Sequence, residues 1–279
     1  MTSTAEAQER AFAFLSLNER PSKPRSRGVT EIRGPYYTPL GRRQLEDVLE
    51  TMGVYVDTLK YAGGSFALMP REAVRDLNEL CHQHDVEVST GGFLEYVLTQ
   101  RGDAVAEYLA ECRELGFDIV EISSGFVTLP VDDLVGLTKA VGKAGLKAKP
   151  EVGIQFGAGG ASTVEVLEAE GTRDVGQAIE LAKRHLDAGA HMLMIESEGI
   201  TEQVRDWRTD VIARIVAELG LEQVMFEAAD PNVFTWYVKN YGIDMNLFVD
   251  HSQIVQLECL RAGIWGTKDT WGRMLAYRE

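Results

Sequence analysis

The sequence predicts one α/β domain, a (β/α)8 barrel of the TIM type. Three observations predict it. Short apolar runs rich in β-branched residues recur eight times between residues 28 and 265, and a segment with helical spacing of apolar residues follows each of them. Strict alternation of such units builds a parallel sheet, and eight of them match a closed barrel. No GxGxxG follows the first run, which weighs against an open dinucleotide-binding sheet. Residues 1–27 then form an N-terminal extension, 28–265 the barrel and 266–279 a tail packed on it.

The elements follow in order. The cluster Ala11–Phe12–Ala13–Phe14–Leu15, within residues 1–18, has helical density and reads as a short docking helix. Residues 19–28, basic with two prolines, read as an extended, solvated connector crossing an acidic surface. VTEIR is the first strand, and Arg42–Met52 the first helix, with Leu45, Val48, Leu49 and Met52 on one face. Val54–Lys60 is the second strand. The next helix starts at Pro70, where proline suits a first turn, and runs to His84. Val86–Ser89 is the third strand, followed by helical pieces Phe93–Gln100 and Asp103–Leu115. Strand four is Asp118–Ser123 and its helix Val131–Ala144. Strand five is Leu146–Glu151, and Gly153–Gly171 reads as a long loop. Helix Arg173–Ala188 ends at Gly189, a good C-terminal cap. Strand six is His191–Glu196, then helix Arg208–Leu219, strand seven Gln223–Ala228, and a helix from Asp230–Pro231 to Tyr241. Strand eight is Met245–Asp250 and the last helix Ser252–Arg261. The tail, Gly263–Glu279, carries two Trp that pack on the body.

Composition narrows the function. The chain has 279 residues, 45% apolar and 25% charged, ordinary for a globular protein with a sizeable core. No apolar run approaches the roughly 20 residues that span a bilayer. There is no charged-then-apolar leader, so a cytoplasmic protein is expected. Cys81, Cys112 and Cys259 are isolated and read as reduced thiols. The net charge of −15 repels phosphate backbones and disfavours nucleic acid as a partner. A small anionic substrate stays compatible with it, because a local cationic pocket persists inside an acidic field. A homo-oligomer is expected.

In a (β/α)8 barrel the pocket lies at the C-terminal ends of the strands. Charges end most of the runs, which places Arg33, Lys60, Glu121, Glu151, Glu196 and Glu227 at the mouth, with Lys149 sharing a strand face with Glu151. So many carboxylates repel one another, so protons or cations must compensate. Arg33, Lys60 and Lys149 do part of this, and a divalent cation, magnesium or manganese, held by Glu121, Glu151, Glu196 and Glu227 does the rest. The bland alternative is an internal salt-bridge network. Gly63–Gly64–Ser65 and Thr90–Gly91–Gly92 follow strands two and three, where backbone N–H groups can approach a substrate anion. His251 follows strand eight beside Asp250 and reads either as a proton-transfer group or as a cap for the last helix. His82, His84, His185 and His191 lie away from the mouth. There is no Ser–His–Asp arrangement, HExxH or Walker loop.

YVDTLKYAGGS, VEVSTGG, LGFDIVEIS, KPEVG, DAGAHMLMIE and VMFEA occur in an order that resembles the phosphosulfolactate synthase family. GVTEIRGPYYT, GGSFALMPR, RTDVIARI and VDHSQIVQLECLR resemble the branch containing plant heat-stress-associated proteins. The resemblance covers roughly residues 28–265. It implies a TIM barrel and a magnesium-dependent conjugate addition of sulfite to phosphoenolpyruvate through an enediolate. By position it implies that Lys60 contacts substrate anions or transfers a proton, with Glu151, Glu196 and Glu227 in the metal and polar shell. The chain departs from the family pattern where Ile154–Gln155 replaces a Lys-rich segment, Arg33–Gly34 an Asp-Lys pair, and Ser197–Glu198 a Gly-Arg pair. These lost cations keep two alternatives open: a lyase or isomerase on another small carboxylate, and a non-catalytic heat-stress or chaperone-interaction protein.

Overall fold

The structure, a computed structural model, describes residues 10–36, 39–100, 102–160, 162–266, 268 and 270–276. Eight parallel strands close into one barrel: β1 (Thr30–Arg33), β2 (Thr58–Lys60), β3 (Glu87–Ser89), β4 (Ile119–Ile122), β5 (Lys147–Val152), β6 (Leu193–Ile195), β7 (Val224–Glu227) and β8 (Leu247–Asp250). Each pairs with the next, and β8 closes on β1 through Glu31 opposite Phe248 and Arg33 opposite Asp250. The register also sets Arg33 beside Lys60 and Glu121 beside Lys149.

Ten α-helices stand among the described residues: α1 (Arg42–Met52), α2 (Arg71–Gln83), α3 (Leu94–Leu98), α4 (Ala104–Leu115), α5 (Val131–Lys143), α6 (Val164–Glu170), α7 (Val175–Asp187), α8 (Thr209–Leu219), α9 (Pro231–Tyr241) and α10 (Ile254–Arg261). Side chains alternate along each strand. Ile32, Leu59, Val88, Val120, Ile195, Phe226 and Val249 join the large apolar core shared with the helices. A separate small cluster holds Val29, Met192, Met194, Met225 and Phe248.

Several boundaries differ from the sequence expectation. Residues 53–55 form a 3-10 turn, so β2 starts only at Thr58. The long loop after β5 contains α6, whose Thr163 accepts from Val166 N. Pro70 sits one residue before α2, as Pro130 does before α5, while Pro231 occupies the first turn of α9 with Asp230 accepting from Asn232 N at 2.7 Å. Residues 11–15 form a turn rather than a docking helix, with Phe12 and Phe14 71% and 82% exposed; residues 1–9 lie outside the described residues.

The basic connector is not solvated. Arg25 Nη1 donates to both Asp57 oxygens at 2.9 and 3.0 Å, Lys23 Nζ donates to the carbonyls of Gly53, His84 and Asp85, and Arg20 pairs with Glu258. Its cations therefore seal the N-terminal end of the barrel, where strand-start carboxylates and helix-end carbonyls need donors. In the tail, the rings of Trp265 and Trp271 meet at a tilt of 52° with centroids 4.7 Å apart and stay exposed, while Met274 reaches the core and Thr270 is buried. Thr267, Asp269 and residues 277–279 lie outside the described residues.

Candidate active site

A line of alternating charges runs from the barrel interior towards the strand ends. Glu31 of β1 holds Lys149 Nζ at 2.6 Å through both oxygens. Lys149 Nζ stands 3.3 Å from Glu121 Oε2, Glu121 Oε1 2.9 Å from Lys60 Nζ, and Lys60 Nζ 3.3 Å from Glu227 Oε1. The line continues to Ser197 Oγ, which donates to Glu202 Oε2 at 2.8 Å and lies 3.4 Å from Glu227 Oε2. The ring of Phe248 faces two cations, Lys60 Nζ at 4.6 Å and the Arg33 guanidinium at 5.1 Å, a favourable quadrupole contact.

Burial and charge divide these groups. Loss of water would pull the Lys60 ammonium down, but Glu121, Glu227 and Glu151 outweigh it and hold Lys60 well above its usual range. Burial raises Glu121, and Lys60 and Lys149 outweigh that, so its carboxyl lies below the usual range. Glu31 is raised, because burial outweighs Lys149. Glu151 and Glu196 are pushed well up by loss of water and then by carboxylate neighbours: Glu121 and Glu227 for the first, Glu227 and Glu151 for the second.

A cavity of about 670 Å³ opens on the β6–β7–β8–β1 side of the mouth. Its wall includes Arg33, Ser197, Glu202, Glu227, Asp250 and His251. His251 Nδ1 lies 3.1 Å from the Arg33 carbonyl. A carbonyl only accepts, so Nδ1 is the donor, which in the neutral ring leaves the lone pair on Nε2. The cap of the following turn is Asp250, not His251: its carboxylate accepts from Ser252 N and Oγ, and Gln253 completes the capping box.

The structure thus brings together Arg33, Lys60, Glu121, Glu151, Glu196, Glu227 and His251, with Arg33, Glu227 and His251 on the cavity wall, Lys60, Glu121 and Glu196 buried behind it, and Glu151 half-buried on β5. It does not bring Lys149 to the mouth. β5 runs on to Val152, so Lys149 lies mid-strand, 2% exposed, and borders a second cavity at the opposite end of the barrel with Glu31. The glycine turns split. Gly63 and Gly64 press on the rings of Tyr36 and Phe93, which makes theirs a packing turn, and Ser65 Oγ is buried without a hydrogen-bond partner among the described residues. Gly91, at φ +61°, lies so close to the Tyr61 carbonyl that a Cβ would sit 2.3 Å from it, and Gly92 faces Ser123 and Glu121. Thr90 Oγ1 is satisfied by the Gly91 carbonyl. Among the described residues, neither glycine pair borders the mouth cavity. Sequence reasoning missed Glu31, which strand alternation puts on the face of Arg33, and Glu95, Glu198 and Glu202, which sit in ordinary-looking helix and loop positions.

Among the described residues, no three carboxylate, imidazole or thiolate groups close on one point as a ready cation cage. Glu121 does not fit the predicted metal set, because its oxygens face Lys60 and Lys149. Glu151, Glu196 and Glu227 supply the donor chemistry, hard carboxylate oxygens with two of the groups raised by burial and crowding, that a magnesium ion takes when water and ligand oxygens complete its shell.

Comparisons with known proteins agree with this fold. The chain is 38% identical over 259 residues to Protein HEAT-STRESS-ASSOCIATED 32 of Arabidopsis thaliana, covering 89% of this chain and 91% of that protein. It is 28% identical over 271 residues to the phosphosulfolactate synthase of Methanothermobacter thermautotrophicus, covering 95% and 98%. Among solved structures, the carboxyl transferase domain of Rhizobium etli pyruvate carboxylase shares the fold, with a TM-score of 0.55 at 13% identity over 81% of this chain and 40% of that one. No helix among the described residues is long and apolar enough to cross a membrane. Residues 18–267 match the (2R)-phospho-3-sulfolactate synthase (ComA) family, and the chain belongs to that family.

Proposed function

We propose that the chain is a magnesium-dependent lyase of the phosphosulfolactate synthase type, which adds sulfite or a related nucleophile to phosphoenolpyruvate or a similar small unsaturated acid through an enediolate. The observation that carries this reading is Lys60, a buried ammonium held charged between Glu121 and Glu227, the second of which lines the open cavity. Glu151, Glu196 and Glu227 would hold the magnesium ion, which would supply positive charge to the substrate carboxylate. Arg33, backed by Phe248, offers a planar fork to a carboxylate or phosphate. Attack on the methylene carbon moves an electron pair onto the carboxylate as the enediolate, and the fixed charge of Lys60 favours that developing anion. Lys60 then donates its proton to the second carbon, and the His251 Nε2 lone pair accepts a proton from an incoming nucleophile that arrives protonated. Lys149, paired in the interior, takes no direct part.

One observation favours a substrate less charged than phosphoenolpyruvate plus sulfite. The cavity wall sets Glu202, Glu227, Asp230 and Asp250 against Arg33. Addition or elimination on a small monocarboxylate suits that balance better.

The test incubates chelator-stripped protein with sulfite and phosphoenolpyruvate, and with a panel of small unsaturated acids, with and without Mg²⁺ or Mn²⁺. Product is read by mass spectrometry and metal binding by calorimetry. Metal-dependent formation of a carbon–sulfur bond is expected. No product from any acid, with no heat at millimolar metal in the presence of phosphoenolpyruvate, overturns the enzymatic reading.

A further inference from the structure

Glu95 lies on α3, outside the cavity wall, and is only 6% exposed. Its carboxylate accepts four hydrogen bonds, all from the loop after β4. Oε1 takes Ser123 Oγ and Gly125 N at 3.1 Å, and Oε2 takes Phe126 N at 2.7 Å and Val127 N at 3.0 Å. A buried anion is costly unless its lone pairs are filled, and here one loop fills them.

That loop in turn presses on the loop after β5. A Cβ on Gly125 would sit 1.9 Å from the Ala158 carbonyl, and one on Gly159 would sit 2.2 Å from the Phe126 ring. Gly159 N donates to Glu198 Oε2 at 2.9 Å, and Glu198 N donates to Glu196 Oε1 at 2.9 Å. A line of contacts therefore runs from α3 through two loops to the buried Glu196 carboxylate, just behind Ser197 and Glu227 of the cavity wall.

We propose that Glu95 is a positioning residue for this site: it fixes the loops after β4 and β5 and, through Glu198, aims the Glu196 carboxylate. The consequence for turnover rests on the lyase reading above; the coupling of the loops does not. Glu95→Gln keeps the side chain's size and turns an amide N–H toward backbone N–H groups, so the line breaks at its first link.

The experiment uses the full chain. Hydrogen exchange is mapped on wild type, Glu95→Gln, Glu198→Gln and the double variant, and kcat and KM are measured for sulfite plus phosphoenolpyruvate with Mg²⁺. Faster exchange is expected in Glu95→Gln both at residues 123–127 and at 155–160. A fall of about 10–100-fold in kcat is expected with a smaller change in KM, the usual range for residues that orient metal-holding groups. The double variant should be about as slow as the slower single one, because both cut one line. Faster exchange confined to 123–127, or rate losses that multiply, overturns the proposal. If Glu95→Gln fails to fold, Ser123→Ala, which removes one of the four bonds, must show the same exchange pattern on a smaller scale. If wild type is inactive on these substrates, the lyase reading fails alone, and the exchange map still decides the coupling.

Discussion

Lys60 has two partners in the barrel, Glu121 and Glu227, and one potential partner outside it, a substrate anion. Removing it therefore does two things. Lys60→Met leaves buried carboxylates uncompensated, at a cost of roughly 3–5 kcal/mol, and removes the charge that favours the enediolate. Turnover should fall by about 10²–10⁴. Stability alone does not separate these effects, but Lys149→Met does. It breaks the deeper pair with Glu31, so it should melt lower while losing far less turnover. Melts and product assays on both variants check this; a Lys149→Met protein as slow as Lys60→Met would assign the effect of Lys60 to the ion network. The sequence placed Lys60 at the mouth because it ends its run and a glycine turn follows. It misplaced Lys149 because β5 extends to Val152. Two residues of strand, roughly 7 Å, separate the mouth from the interior.

At the scale of elements, α5 and α7 meet through Thr138 and His185, whose Oγ1 and Nδ1 lie 2.8 Å apart in the core. Burial, helped by Arg184, lowers the imidazole from 6.5 to about 4. Between those values the unfolded chain binds a proton that the folded chain does not, so stability falls as pH drops from about 6.5 towards 4. Between pH 7 and pH 5 the loss should be about 2 kcal/mol. Urea unfolding of wild type and His185→Gln at the two pH values measures it; an unchanged pH dependence in the variant would assign the loss to other groups. Helix α1 was readable to the residue because one apolar stripe fixes it. Helix α6 was not: with seven residues and Leu167 as its buried anchor, its periodic signal is too short. Residues 11–15 had the density of a helix but no surface to bury it against, and tertiary context decided for a turn.

For the whole molecule, the closed barrel was legible because eight units and their spacing leave few alternatives, and the ordered motifs pointed to the family. The basic connector was misread for a reason of reach. Its partners, Asp57, Gly53 and Glu258, are scattered along the chain and converge only once the barrel closes. The interior line from Glu31 to Glu227 has a further consequence, in temperature. Keeping ions dry costs less as water is heated, because the hydration of charges carries a negative entropy, whereas apolar burial gains little more per unit area. A barrel lined partly with paired ions should thus weaken less on warming than one filled with aliphatic side chains. Replacing the deepest pair with Glu31→Leu and Lys149→Met should stabilise the protein by about 1–4 kcal/mol at 25 °C. That advantage should shrink steadily in denaturant titrations run at rising temperature. A constant advantage would mean that the ions contribute nothing to the thermal response, while a closing gap means that the barrel is built for its warm limit rather than its cool one.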